Sequence, residues 1–123
     1  MDQRRLWVWC FELLTRGLNT GAYYPDENLQ GSPLRRLRDQ AAQDRNRTKA
    51  QARCAAENVE GSCDEYPFAS TYEGAFNQTS TSGWSVRGID DGDNSAGGSL
   101  IGAFYQTQRI LDRDKFYVQV QKF

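Results

Sequence analysis

Apolar residues are unevenly spaced along this chain, and their spacing divides it into elements. Residues 5–14 hold the run Leu6, Trp7, Val8, Trp9, Cys10 and Phe11, which predicts a strand or a short amphipathic element. Residues 15–32 carry Gly17, Asn19, Gly21, Pro25, Asn28 and Gly31, the composition of a loop. Ser32 and Pro33 form a helix start, with serine as cap and proline in the first helical position. Strong helix formers continue to about Glu57. Leu34, Leu37, Ala41, Ala52 and Ala55 give that helix only a thin apolar stripe, so one face packs and the rest is wet. Residues 58–62 end it. Residues 66–69 are apolar and predicted buried, but Pro67 denies them a central strand position. A polar loop over 75–83 precedes Trp84–Ile89, where apolar and polar residues alternate as in a half-buried strand. Residues 90–98, rich in Asp and Gly, read as loop. Residues 99–111 read as a second helix with Leu100, Ile101, Phe104, Ile110 and Leu111 inward. A turn at 112–114 leads to an alternating strand over 115–120.

A chain of 123 residues with 38% hydrophobic and 25% charged residues has room for one domain with one modest core. No apolar stretch is long enough to span a bilayer. Arg4 and Arg5 before the first apolar run resemble a leader segment, but Glu12 interrupts it and no clean small-residue cleavage site follows. The segment equally suits a place where a larger protein was cut. Of three cysteines, Cys54 and Cys63 flank a short polar loop containing Gly61, so a disulfide between them is sterically reasonable. It would stabilise the fold by about 2–3 kcal/mol. Cys10 then remains as a small apolar residue. Without CxxC spacing or histidine, zinc is not indicated.

The net charge of -1 suggests no polyanion partner, but the distribution does. Arg35, Arg36, Arg38, Arg45, Arg47, Lys49 and Arg53 crowd the first helix against only Asp39 and Asp44. Glu57, Glu60, Asp64, Glu65, Glu73, Asp90, Asp91 and Asp93 follow, with Arg87 alone among them. A metal-dependent enzyme acting on a phosphate polymer needs such a pair of blocks, one to grip phosphates and one to hold cations. A solvated helix followed by solvated acidic loops has the same composition, and charge alone favours that plainer account.

The absence of histidine sharpens the choice. Proton transfer near neutral pH falls to carboxylates, a thiol, a hydroxyl, an amine or metal-bound water. Residues 63–74, Cys-Asp-Glu-Tyr-Pro-Phe-Ala-Ser-Thr-Tyr-Glu-Gly, set three carboxylates among aromatics. Adjacent residues point to opposite faces in a strand and about 100° apart in a helix, so of Asp64 and Glu65 one faces a site and the other props it or turns outward. Glu73 can return to the same place. As plain structure, Asp64 would be a cap and Glu65 and Glu73 surface charges. Asn94, before the second helix, offers a neutral oxygen to Mg²⁺, Mn²⁺ or Ca²⁺, or is simply a turn residue. Gly97 and Gly98 would let the backbone approach a ligand, or make a loop. Arg87 is placed to neutralise a phosphate, or to pair with Asp90 or Asp91.

At these residues the chain resembles the NucA/NucB-type deoxyribonucleases, a family of secreted bacterial nucleases. The resemblance rests on CDEYPFASTYEG (63–74), DNSAGGSL (93–100), RILDRDKFYVQV (109–120) and DQAAQDRNRTKAQARC (39–54). It implies an α+β fold: a small ββα-metal nuclease domain over 32–123, with a long basic N-terminal helix and short antiparallel strands, preceded by an extension over 1–31. It implies one divalent cation, Mg²⁺ or Mn²⁺ with Ca²⁺ as a further candidate, and an aspartate where related folds use histidine. By position, Asp64 is the candidate general base, Glu65 and Glu73 stand beside it as catalytic candidates, and Asn94 with Glu73 are candidate metal ligands. Arg45, Arg47, Lys49, Arg87 and Ser99 are the expected phosphate contacts. The implied partner is the DNA backbone, bound by a monomer without membrane association. Secretion, or delivery as a toxin domain matched by an immunity protein, is the implied setting. Two departures stand out: Ala75 occupies a position where the family often has a second glycine, and no carboxylate follows Asn94 on the second helix, where Gln106 and Gln108 are the nearest polar residues.

Two other classes compete. Paired carboxylates serve glycoside hydrolysis, but a sugar site has no use for a basic helix. A degenerate nuclease would bind nucleic acid without cutting it.

Overall fold

The computed structural model describes residues 33–117 and the short strand Thr15–Arg16, called β1. The expected strand over 5–14, the Ser32 cap, Cys10 and residues 118–120 lie outside the described residues. In order, the remaining elements are β2 (Leu34–Arg35), α1 (Gln40–Ala56), β3 (Ser62–Tyr66), a 3-10 turn (Ala75–Asn77), β4 (Ser85–Ile89), α2 (Asp91–Thr107) and β5 (Lys115–Tyr117). The architecture is α+β, with two small antiparallel sheets. One has strand order β1-β5-β2 and the other is the pair β3-β4.

The first helix starts later than its sequence predicts. Leu34 is buried and pairs with Phe116 across β2 and β5, which draws the segment after Pro33 into a sheet. Asp39, not Ser32, caps α1, its carboxylate accepting from the Ala42 amide. The second helix, in contrast, starts eight residues earlier than predicted. Asp90 caps it by accepting from the Gly92 amide, and burial of Ile101, Phe104 and Tyr105 outweighs the cost of its glycines. Asn94 therefore lies in the first turn of α2 rather than before it. The predicted inward face also changes. Leu100 and Leu111 are exposed, and Ile110 is buried only after the helix has ended. The 112–114 turn is present, with Arg113 at positive φ.

Two apolar clusters fix the elements. Leu34, Phe68, Ile101, Phe104, Tyr105, Ile110 and Phe116 form the larger, with Tyr66 packed against it. Ala50, Ala75 and Trp84 form the smaller, joined by Cys63 and Val86. Alternate residues of β3 thus face opposite ways, Tyr66 toward α2 and Cys63 toward α1. The Cys54–Cys63 disulfide ties α1 to β3, as the flanking-loop spacing suggested. Asn46, buried in α1, donates to the carbonyls of Ala69 and Thr71 and accepts from the Phe76 amide, pinning the loop after β3 to the helix. Gly74 packs against this same amide: a Cβ there would lie 2.4 Å from Asn46 Nδ2.

Candidate functional site

The run that carries the three carboxylates opens with β3. Its pairing with β4 is antiparallel and sets Asp64 opposite Arg87, Cys63 opposite Gly88 and Ser62 opposite Ile89. Among the described strands β4 is the only partner of β3, so its other edge is left unpaired. A cavity of about 660 Å³ lies along that edge. Four consecutive β3 residues, Ser62 to Glu65, line it, as expected of a strand met edge-on. Arg47, Ala50 and Gln51 of α1 form one wall. Asp91, Asp93, Asn94, Ser95, Gly97, Gly98 and Ile101 of α2 form the other, and Phe68, Ala69 and Ser70 close the end.

Asp64 and Arg87 face each other across the hairpin, with Arg87 Nε 3.6 Å from Asp64 Oδ2. That is an ion pair, too long for a hydrogen bond. Both side chains are largely buried. Burial pushes the Asp64 carboxyl from its ordinary 3.8 up to about 6, against the opposing pull of the Arg87 guanidinium. Burial likewise pushes Glu65 from 4.5 up to about 7. The Arg47 charge opposes this and the Asp64 charge adds to it. Asp64 Oδ2 and Glu65 Oε2 are both buried with no hydrogen-bond partner among the described residues. Two carboxyls held at the edge of one cleft, poised to titrate near neutrality, can exchange protons without histidine.

Asn94 reaches back from α2 to β3. Its amide nitrogen donates to Ser62 Oγ at 2.7 Å and to the Cys63 carbonyl at 3.3 Å. A carbonyl can only accept, so the nitrogen must face β3. The amide oxygen accepts no hydrogen bond among the described residues. It is a neutral, hard donor on the same cleft as Asp64. Among the described residues, no three carboxylates or thiols converge to chelate an ion by themselves. That donor set suits Mg²⁺, which keeps several waters and accepts one or two protein oxygens plus phosphate. It does not suit a fully enclosed metal.

The other sequence candidates separate. Arg47 lines the cleft, at its α1 wall, and also pairs with Asp44 at 3.2 Å. Lys49, two residues on and so about 200° around the helix, lies on the other flank. It donates to the Gln78 carbonyl and stacks on Trp84. Arg45 is on that flank too, over the Phe76 ring. Ser99 is exposed and does not line the cleft, because five residues after Asn94 turn it about 140° away. Glu73 does not line it either. Its carboxylate accepts from the Arg35 amide at 2.8 Å and pairs with Arg35 Nε, holding β2 to the loop after β3. Arg87 pairs with Asp64 across the hairpin.

Sequence reasoning missed Ser62, which orients Asn94, and Gln51, one turn beyond Arg47 on the cleft wall. Ser62 sits two residues before Asp64. Strand periodicity would have put both on one face, had the segment been read as a strand. Gln51 follows Arg47 at helical spacing, the signal that could have found it.

The family model described as Deoxyribonuclease NucA/NucB matches residues 16–119. No curated protein and no solved structure matches the chain significantly.

Proposed function

The chain belongs to the NucA/NucB deoxyribonuclease family, and from that premise we propose that it hydrolyses DNA phosphodiester bonds at the cleft beside β3, in a divalent-metal-dependent reaction with little sequence preference. The observation that carries this reading is that Asp64 and Asn94, from different elements, line one concave surface. The chain order of hairpin β3-β4 followed directly by α2 suits a ββα-metal nuclease.

Asp64 is the proposed general base. With a carboxyl near 6 it is mostly ionised at pH 7, yet basic enough to take a proton from water as that water attacks phosphorus. Arg87 holds the carboxylate in place and lowers the cost of its charge. Arg47, at the α1 wall, is the proposed contact for a flanking phosphate and carries no base readout. Glu65, next to Asp64 on β3, supports the site electrostatically, its charge attracted by the Arg47 guanidinium of the α1 wall. Asn94 Oδ1, with Asp91 or Asp93 of the same wall, would hold the cation. When bound, the cation would polarise the scissile phosphate and neutralise charge on the leaving 3′ oxygen. Glu73 is better assigned to structure.

The Cys54–Cys63 disulfide suits an oxidising compartment, so we place the protein outside the cytoplasm, as a secreted nuclease or a delivered toxin domain. Supercoiled plasmid incubated with the chain tests the function. Nicked and linear DNA should form with Mg²⁺ or Mn²⁺, at least a hundredfold slower in excess EDTA. Salt-sensitive DNA retention without cleavage under any metal would instead mark a binding module.

A further inference from the structure

Among the described residues, nothing in the fold requires a glycine at position 98. It sits inside α2, an exposed position where helix propensity favours alanine. A Cβ built there meets no atom within 4 Å among the described residues. Gly88 of β4 is by contrast sterically required: a Cβ there would lie 1.6 Å from the Glu60 carbonyl oxygen. Gly98 nevertheless lines the cleft, one turn after Asn94 and on the same face of the helix. The space its missing side chain leaves open is therefore space in the cleft, beside the proposed metal ligand.

We infer that Gly98 is a substrate-contact position, where the deoxyribose-phosphate backbone of the bound strand lies directly against the main chain of α2. This rests on the nuclease reading and deepens it. A side chain at 98 would stand between the strand and the wall, displacing the phosphate from Asn94 and Asp64. Small displacements of that kind are costly in a site that works by positioning. Gly102 supplies the matched control. It is an exposed α2 glycine whose added Cβ also meets nothing within 4 Å, and it does not line the cleft.

The test compares Gly98→Ala, Gly98→Leu, Gly102→Ala and Gly102→Leu in the full chain. Melting temperature is recorded, with Kd for a fluorescent duplex measured in EDTA by anisotropy. Gly98→Ala and Gly102→Ala should each raise the melting temperature. Kd should rise at least fivefold for Gly98→Ala and at least twentyfold for Gly98→Leu, while both Gly102 variants stay within twofold of the parent. A Gly98→Leu variant that binds within twofold of the parent overturns the inference. So does a Gly98→Ala variant that melts lower, since the fold would then need the glycine. Binding in EDTA is read without cleavage, so a parent chain that binds duplex but never cuts it sinks the nuclease reading and leaves this comparison standing.

Discussion

Asp64→Asn should lower kcat for DNA cleavage about a thousandfold, the size expected when a positioned base is removed. The amide fills the same volume beside Arg87 but cannot accept the proton. DNA binding should change little, because Arg47 and the rest of the cleft wall are untouched. The same variant should be more stable than the parent at pH 8. Moving this carboxyl from 3.8 to about 6 means that ionising it in place costs about 3 kcal/mol relative to the unfolded chain. Burial, the larger influence, outweighs the attraction of Arg87, so a neutral amide is better tolerated there. For a domain of this size the gain corresponds to a melting temperature higher by roughly 10 °C. Loss of activity with a gain in stability would separate a working residue from a merely structural one. Steady-state kinetics on a fluorescent duplex and a thermal melt at pH 8 check the two halves.

The second large effect concerns the parent chain and pH. Asp64 and Glu65 both have folded pKa values raised above their ordinary ones, to about 6 and about 7. A raised carboxyl binds its proton more tightly in the folded state. Its contribution to stability is therefore complete below the unfolded pKa, near 4, and is lost as pH rises through the folded value. The window runs from about pH 4 to about pH 8. Each group alone accounts for about 3 kcal/mol. Asp112 has the opposite sign. Its carboxylate is held below the ordinary range chiefly by the Arg38 amide, so its contribution fades as pH falls through the acid range. Stability measured by urea unfolding without divalent metal should peak between pH 4 and 5 and fall by several kcal/mol by pH 8. In Asp64→Asn/Glu65→Gln that alkaline decline should largely vanish. A parent chain equally stable at pH 5 and pH 8 would mean the two carboxyls are better solvated than their surroundings here imply.

The candidate carboxylates are easier to read in the sequence than the elements that carry them. The acid-rich run at 63–74 singles out Asp64 as a candidate, but where its neighbour Glu65 points depends on the pairing of β3 with β4, which nothing local reveals. Cys54 and Cys63 were paired from their flanking of one short loop. Trp84–Ile89 showed its alternation, and β4 covers all but its first residue. Other features depended on contacts distant in sequence. Pro33 looked like the start of a helix because nothing local reveals that Leu34 pairs with Phe116. Gly97 and Gly98 hid the first half of α2, whose stability comes from Asp90 at its cap and from burial of Ile101 and Phe104. Glu73 looked like part of the site because it shares a run with Asp64, and only the three-dimensional path shows it turned to Arg35. The basic helix was legible as charge, but a helical wheel cannot say which flank meets the cleft until a strand is laid against it. That is why Arg47 separates from Arg45 and Lys49.

In the proposed reaction a desolvated carboxylate at position 64 does the proton transfer. The pH dependence of kcat/KM for DNA cleavage tests it most directly, measured from pH 4.5 to 9 at fixed Mg²⁺ for the parent and Asp64→Asn. The parent profile should rise about tenfold per pH unit on its acid side, bend between pH 5 and 7 and then level. The residual activity of the variant should lack that limb. An acid limb that persists unchanged in Asp64→Asn, or a variant that retains the parent's rate, would contradict the assignment.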